Sequence, residues 1–174
     1  MTKKDIQQQL TEKHQAFIQY ILDLPETDFV FAKPDKWTAG QQLEHIYRSV
    51  APLKLALGLP KFLLRFWFGK ANRPSRDYDT LVSKYQAKLA DGGKAPAPFV
   101  PRPVLFVQRE NLRDKLQRTV QALNRRLNAF SEQELDTYIL PHPLLGKITL
   151  REMLYFTIYH VMHHQKAVQA SLQV

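Results

Sequence analysis

Two histidines near the end of the chain, His160 and His164, stand four residues apart. On a helix this spacing places both side chains on one face, one turn apart, with Cβ atoms roughly 5–6 Å from each other. Two imidazoles in this arrangement can bind one divalent ion at about 2.0–2.1 Å. The neighbouring His163 is rotated by about 100° from His164, so it is not expected to join them. The spacing therefore favours a metal site on the last helix.

A third histidine, His45, lies on the flank of the apolar stripe of an earlier predicted helix. His160 and His164 flank the stripe of their own helix, so we expect the three side chains to meet at the rim of a helical bundle. Three neutral imidazoles with open coordination positions are typical of a catalytic ion, whereas a structural zinc normally has four protein ligands. The residues alone leave open that these are half-buried histidines bonded to backbone or solvent. His14, on the apolar stripe of the first helix, is either a fourth partner or a core histidine.

The composition limits the other sources of chemistry. The chain has 174 residues and no cysteine, which excludes disulfides, thiolate metal sites and a cysteine nucleophile. Any metal must therefore use His, Asp or Glu. With 44% hydrophobic and 24% charged residues, the sequence is typical of a globular protein, and its length predicts a single domain spanning 1–174.

The formal charge of +9 raises the question of nucleic-acid binding. Lys and Arg are scattered along the chain among acidic residues, and no nucleic-acid signature is present, so this partner is not expected. The N-terminal residues lack the apolar run of a signal peptide. The longest apolar stretch, residues 62–68, is too short for a membrane span and contains Arg65. We expect a cytoplasmic protein with no membrane span.

Four segments show the apolar periodicity of long helices, and no segment predicts a strand, so the expected fold class is all-α. Capping boxes begin at Thr38, Ser131 and Thr149. Leu105 is expected on the inward face of the third long helix. The four predicted helices cover residues 3–22, 38–58, 104–130 and from 149 nearly to the C-terminus.

The connection between the second and third long helices is unusually long. Residues 71–102 are rich in proline and glycine and predict only a short helix at 78–89. An up-down-up-down bundle needs only short loops. The fold expected is therefore a four-helix bundle with a long crossover between helices two and three, which then run parallel.

Two motifs in these helices resemble those of the DinB/YfiT-like superfamily of bacterial proteins. The first is Trp37-Thr-Ala-Gly-Gln-Gln-Leu-Glu-His45 and the second is His160-Val-Met-His-His-Gln165. The resemblance covers nearly the whole chain. It implies a four-helix bundle with a right-handed crossover, frequent homodimers, and a divalent metal, zinc or nickel, bound by His45, His160 and His164. His163 matches a histidine that is not a usual ligand.

The resemblance also implies a class of activity. Some members of the superfamily are thiol transferases that use bacillithiol or mycothiol, others resemble mycothiol-dependent maleylpyruvate isomerase, and several are labelled metal-dependent hydrolases. This chain has His163-His-Gln-Lys-Ala167 where "HHRGQ" is frequent. Because the Arg and Gly of that pattern are missing, the resemblance does not identify a substrate.

The leading hypothesis is a metal-dependent transfer of a low-molecular-weight thiol to a small electrophile, because a bound metal can hold a thiolate at neutral pH. Arg48, one turn after His45, is the candidate to bind a carboxylate of that thiol. The alternatives are a metal-dependent hydrolase, for which neither Glu44 nor Glu152 is well placed as a base, and a non-catalytic metal-binding or interaction bundle. The aromatic and basic segment 61–70 is expected to pack on the bundle end or in a dimer interface, ahead of a membrane-contact or covering role.

Overall fold

The computed structural model describes residues 1–173, most of which are helical. The helices are α1 (Lys3–Leu22), α2 (Glu26–Val30), α3 (Ala39–Ala56), α4 (Lys61–Phe68), α5 (Tyr78–Ala90), α6 (Arg109–Leu127), α7 (Glu132–Thr137) and α8 (Leu150–Leu172). Two short strands, β1 (Ile139–His142) and β2 (Gly146–Thr149), precede α8. The prediction of a predominantly helical chain is confirmed.

The four long helices pack around a shared core. Helices α1 and α3 each contact both α6 and α8, while α1 and α3 touch each other only slightly. Their apolar stripes supply most of the buried hydrophobic cluster, as the spacing of apolar residues predicts. The parallel course of the second and third long helices stays a prediction. Fully buried members of the cluster include Ile6, Leu10, Phe17, Leu43, Ile46, Leu116, Leu123, Leu154 and Val161.

The helix starts follow side-chain capping. Thr38 accepts a hydrogen bond from the backbone N–H of Gln41, whose side chain bonds back to the Thr38 backbone. Ser131 and Thr149 make the same reciprocal pair at the starts of α7 and α8. Each box satisfies two backbone N–H groups that a helix start otherwise leaves without partners. All three predicted capping boxes are confirmed.

The prediction that the chain contains no strands is wrong. Strands β1 and β2 form an antiparallel hairpin in which His142 pairs with Gly146 across a three-residue loop. Gly146 has a φ of +71°, a left-handed conformation that glycine adopts without steric cost. Each strand has four residues, and Pro141 interrupts the first, so neither is long enough to show a clear period-two pattern.

The third long helix begins later than predicted, at Arg109 instead of residue 104. Leu105 has an extended backbone, with φ −75° and ψ +148°, so the helix does not begin at residue 104. A 3-10 turn at Phe106–Gln108 then precedes α6, and Leu105, expected to face inward, is 64% exposed. The rest of the predicted stripe is correct, because its other five members are buried: Leu112, Leu116, Val120, Leu123 and Leu127.

The long connection is attached to the start of α8. The two terminal guanidinium nitrogens of Arg73 donate to the Glu152 carboxylate at 2.7 and 2.9 Å. Arg76 donates to the same carboxylate from its side chain and from its backbone N–H. Glu152 also completes the Thr149 capping box, the role that the sequence predicts for it. Helix α5, predicted at 78–89, follows this anchor and packs on α8. The anchor thereby fixes the long connection against the start of α8.

The aromatic segment 61–70 forms α4 and the residues that follow it. Leu64 is fully buried, whereas Phe62, Phe66 and Trp67 are 69%, 80% and 56% exposed. Only one face of the helix therefore packs on the protein, and a dimer contact at the other face stays a prediction. Across residues 1–173, none of the helices combines the length and apolarity that a membrane crossing requires.

Candidate metal centre

The three histidines singled out in the sequence lie together between α3 and α8. His45, His160 and His164 are 4%, 5% and 7% exposed, so they are more deeply buried than a position at the bundle rim implies. The Nε2 atom of His160 is 3.2 Å from Nε2 of His45 and 2.9 Å from Nε2 of His164. Within residues 1–173 they form the one group of three or more potential ligand residues close enough to share a metal ion.

Hydrogen bonds hold two of these rings with Nε2 free to act as a ligand. Nδ1 of His45 lies 2.7 Å from the carbonyl oxygen of Phe99, and Nδ1 of His164 contacts the side-chain oxygen Oε1 of Gln42. Both partners are acceptors, so each Nδ1 must carry the proton and donate it. In a neutral ring this leaves Nε2 as a lone-pair donor. A second hydrogen bond of this kind is the usual support of a metal-binding histidine.

Hydrogen bonds among the three Nε2 atoms cannot satisfy all of them. Nε2 of His45 and Nε2 of His164 are both acceptors, yet both face Nε2 of His160. A neutral His160 carries at most one Nε2 proton, so it cannot satisfy both neighbours fully. Two ligands at 2.0–2.1 Å from one ion are about 2.9–3.4 Å apart for coordination angles between 90° and the tetrahedral value. The measured separations of 2.9 and 3.2 Å fit that range.

All three imidazoles are held in the neutral form. Burial lowers the pKa of His45, His160 and His164 below the usual value of 6.5, and for His160 and His164 the shift is large. The neighbouring imidazoles lower the pKa of His160 and His164 further, because like charges at this distance repel. Neutral imidazole is the form that binds a metal, so the site needs no proton release from these rings near pH 7.

The cluster opens onto a cavity of about 370 Å³. All three histidines line it, and Trp37 packs over two of them, with ring centroids 4.9 Å from His45 and 6.2 Å from His164. Phe156 stacks on His160 at 4.6 Å. The remaining wall is mostly apolar, as in many small-molecule sites, and the cavity is partly open to solvent. Its apolar members include Leu53, Phe68, Leu89, Phe99, Leu140, Leu144 and Met153.

The other predicted candidates lie outside this cluster. His14 is a core histidine whose Nδ1 bonds the Leu10 carbonyl at 2.8 Å, and burial lowers its pKa to about 4. His163 lines the cavity beside His164 but does not belong to the group of three. Arg48 bonds Glu44 at 2.9–3.0 Å and the Pro98 carbonyl at 3.3 Å. Its side chain is not part of the cavity wall.

The comparison with known families agrees with these features. The model that describes the DinB superfamily matches residues 9–168, which include all three histidines of the cluster. The chain belongs to the DinB superfamily. The search among curated proteins finds no match. The superfamily assignment and the buried histidine trio support a DinB-like protein with a possible metal site, while the metal itself is not identified.

Several residues of this DinB-superfamily site were not predicted from the sequence. Gln42 lies one turn before His45 on the same helix. A glutamine at that position does not by itself indicate a role in a metal site. Phe99 acts through its backbone carbonyl, which no sequence pattern reveals. Tyr85 and His142 line the cavity from α5 and from the unpredicted hairpin. Each of these contributions depends on tertiary packing.

Proposed function

We propose that this chain is a single-domain, metal-dependent enzyme of the cytoplasm that transfers a low-molecular-weight thiol to a small electrophile. The proposal takes the four long helices as a four-helix bundle with the long crossover, and zinc or nickel as the metal held by His45, His160 and His164. One observation carries it: three Nε2 atoms converge on the wall of a mostly apolar cavity. A homodimer is part of the proposal, as expected for this superfamily.

The cavity wall supports a chemical role over a purely structural one. Three protein ligands leave at least one coordination position, whereas structural zinc is normally closed by a fourth. A divalent ion bound there would lower the pKa of a coordinated thiol, so that sulfur is present as thiolate near pH 7. The protein's part is to orient the ligands through Gln42 and Phe99 and to exclude water through Trp37 and Phe156.

The thiol's polar end needs a cationic partner. We propose Arg48 for a carboxylate of the thiol, since its guanidinium contacts the Pro98 carbonyl, next to Phe99 in the cavity wall. Lys94 lines the cavity and is a second cation on the same side. Arg48 is already paired with Glu44, so binding the thiol there requires that the carboxylate share or replace this partner.

Hydrolysis is the second candidate, and the wall of the cavity disfavours it. A metal-bound water is used most effectively with a general base within hydrogen-bond reach. Among residues 1–173, no aspartate or glutamate lines the cavity. Glu44 bonds Arg48 and the backbone N–H of Arg102, and Glu152 is held by Arg73 and Arg76. A non-catalytic metal-binding bundle remains the alternative if no reaction is found.

The test is thiol consumption by zinc-loaded and nickel-loaded protein. A panel of low-molecular-weight thiols, including bacillithiol and mycothiol, is mixed with 1-chloro-2,4-dinitrobenzene, and the absorbance of the thioether is followed. We expect a rate above the uncatalysed reaction that His160→Ala abolishes and Arg48→Ala lowers through a higher KM for thiol. His14→Gln, altered outside the cavity, should retain the rate. Parent rates equal to those of His160→Ala across the panel contradict thiol transfer.

A further inference from the structure

A fourth histidine in the cavity, His142, lies at the end of the β1–β2 hairpin. It is 7% exposed and packs between aromatic rings, with centroids 4.2 Å from Phe156 and 6.1 Å from Tyr85. Phe156 in turn stacks on His160 at 4.6 Å, so one aromatic ring separates His142 from the histidine cluster. His142 therefore lines the same cavity as the cluster without belonging to it.

The hairpin fixes which nitrogen of His142 carries the proton. The backbone N–H groups of Leu144 and Leu145 both donate to Nδ1 of His142, each at 3.1 Å. Nδ1 is therefore an acceptor, and the single proton of a neutral ring must lie on Nε2. Burial lowers the pKa of His142 to about 4, which keeps the ring neutral near pH 7. The ring is thus locked as a hydrogen-bond donor at Nε2.

The donor at Nε2 is open to a ligand. This atom has no hydrogen-bond partner within residues 1–173, yet it is not among the side-chain atoms sealed inside the protein. His142 lines the cavity, which is therefore the open space beside its ring. An acceptor oxygen of a ligand placed there would complete the hydrogen bonding of Nε2–H.

We propose that the cavity binds an uncharged, apolar molecule with one carbonyl group, and that Nε2–H of His142 donates a hydrogen bond to its oxygen. This inference rests on the proposed function in taking that molecule as the electrophile. The apolar wall of the cavity favours a ligand that is mostly apolar, and Nε2–H of His142, which can only donate, favours an acceptor oxygen on that ligand. His142 is then a specificity-determining residue, separated by Phe156 from the histidines that hold the metal.

Two substitutions separate the hairpin role of His142 from its binding role. In His142→Asn, the side-chain oxygen can accept the same backbone N–H groups, because asparagine readily bonds the residue two positions on. Its amide is too short to reach the position of Nε2, so the donor in the cavity is lost. His142→Gln keeps an amide donor near the position of Nε2 but not the acceptor at Nδ1. The pair distinguishes lost binding from a distorted hairpin.

The probes are 2-acetylnaphthalene and 2-isopropenylnaphthalene, which have the same shape except that a CH₂ group replaces the carbonyl oxygen. Affinities are measured by NMR titration of the full chain, with the metal content of each sample recorded. We expect the parent to bind the ketone about three- to tenfold more tightly than the alkene, the worth of one neutral hydrogen bond. His142→Asn should lose the ketone preference with unchanged alkene affinity, because the buried ketone oxygen then has no donor, and His142→Gln should keep part of the preference.

A parent without ketone preference, or a His142→Asn variant that retains it in full, would overturn the inference. So would a histidine ¹H–¹⁵N spectrum of the parent in which Nδ1 of His142 carries the proton. The outcome is independent of the metal. If the parent prefers the ketone but binds no metal, the preference supports the inference, and the lack of metal binding contradicts the proposed function. Metal binding without ketone preference removes only the inference.

Discussion

Helix α8 carries two buried polar clusters that differ in how completely they are satisfied. At its start, the Glu152 carboxylate bonds Arg73, Arg76 and the backbone N–H of Thr149, so opposite charges and donors surround it. Two turns later, His160 meets two other histidines whose Nε2 atoms are acceptors. One cluster is complete within the protein, and the other has converging lone pairs that could hold a cation.

The difference separates a structural role from a functional one. The buried carboxylate of Glu152 fixes the long connection against α8. Its oxygens already accept hydrogen bonds from protein groups, so it does not need a ligand. A group of converging lone pairs is unfavourable until a ligand fills it, so the histidine cluster is the candidate for binding. The same helix thus carries a structural cluster at its start and the candidate metal site near its middle.

The largest effect should appear when the carboxylate cluster loses its central residue, with the histidine cluster as the comparison, both in metal-free protein. Glu152→Leu leaves two partly exposed arginines without their partner, and we expect the free energy of unfolding to fall by about 2–3 kcal/mol. His160→Leu removes the one Nε2 proton that its two acceptor neighbours can share, and we expect a smaller loss of about 1 kcal/mol. Urea unfolding measures both. Equal destabilisation by the two substitutions would erase the distinction between the clusters.

A smaller effect is expected at the support of His164. Gln42→Leu removes the acceptor at Nδ1, which frees the ring to rotate and should weaken zinc binding by about 10- to 100-fold. Gln42→Glu keeps an acceptor oxygen and is the matched control, with affinity near that of the parent. Competition with a chromophoric chelator gives both constants. Unchanged affinity in Gln42→Leu would mean that Gln42 does not orient the ring.

The mildest test is the pH dependence of the complete cluster. Burial raises the pKa of Glu152, but the bonds from Arg73, Arg76 and Thr149 outweigh it and lower the value to about 2. The unfolded value is about 4.3, so this stabilisation is present above that pH and is lost as pH falls towards 2. The free energy of unfolding should therefore drop more steeply between pH 5 and pH 2 in the parent than in Glu152→Gln. Identical slopes contradict this assignment.

His45 is joined to the other two histidines by the motifs that resemble the superfamily, because its own position shows only that it flanks a second apolar stripe. His160 and His164 are predictable from local evidence, because helical geometry places them one turn apart on one face. The capping residues Thr38 and Thr149 were found for the same reason. The bounds of α1 agree with the predicted residues 3–22.

The rest of the site depends on contacts between distant residues. Phe99 supplies a backbone carbonyl from the long connection, and His142 comes from a hairpin with strands too short to show periodicity. Leu105 is predicted on the wrong side because the helix is expected from residue 104, whereas Leu105 is extended and a 3-10 turn precedes α6. Arg48 was chosen for its position beside His45, but its partners Glu44 and Pro98 become visible only in the fold.

The most direct measurement is the metal content of untagged protein by elemental mass spectrometry, beside His45→Ala and His160→Ala. His163→Ala is the matched control, because this neighbour lines the cavity but is outside the cluster. Near one equivalent of metal in the parent and the control, lost in both other variants, is the result expected of a three-histidine site. No metal in the parent after incubation with zinc, nickel and manganese would contradict it.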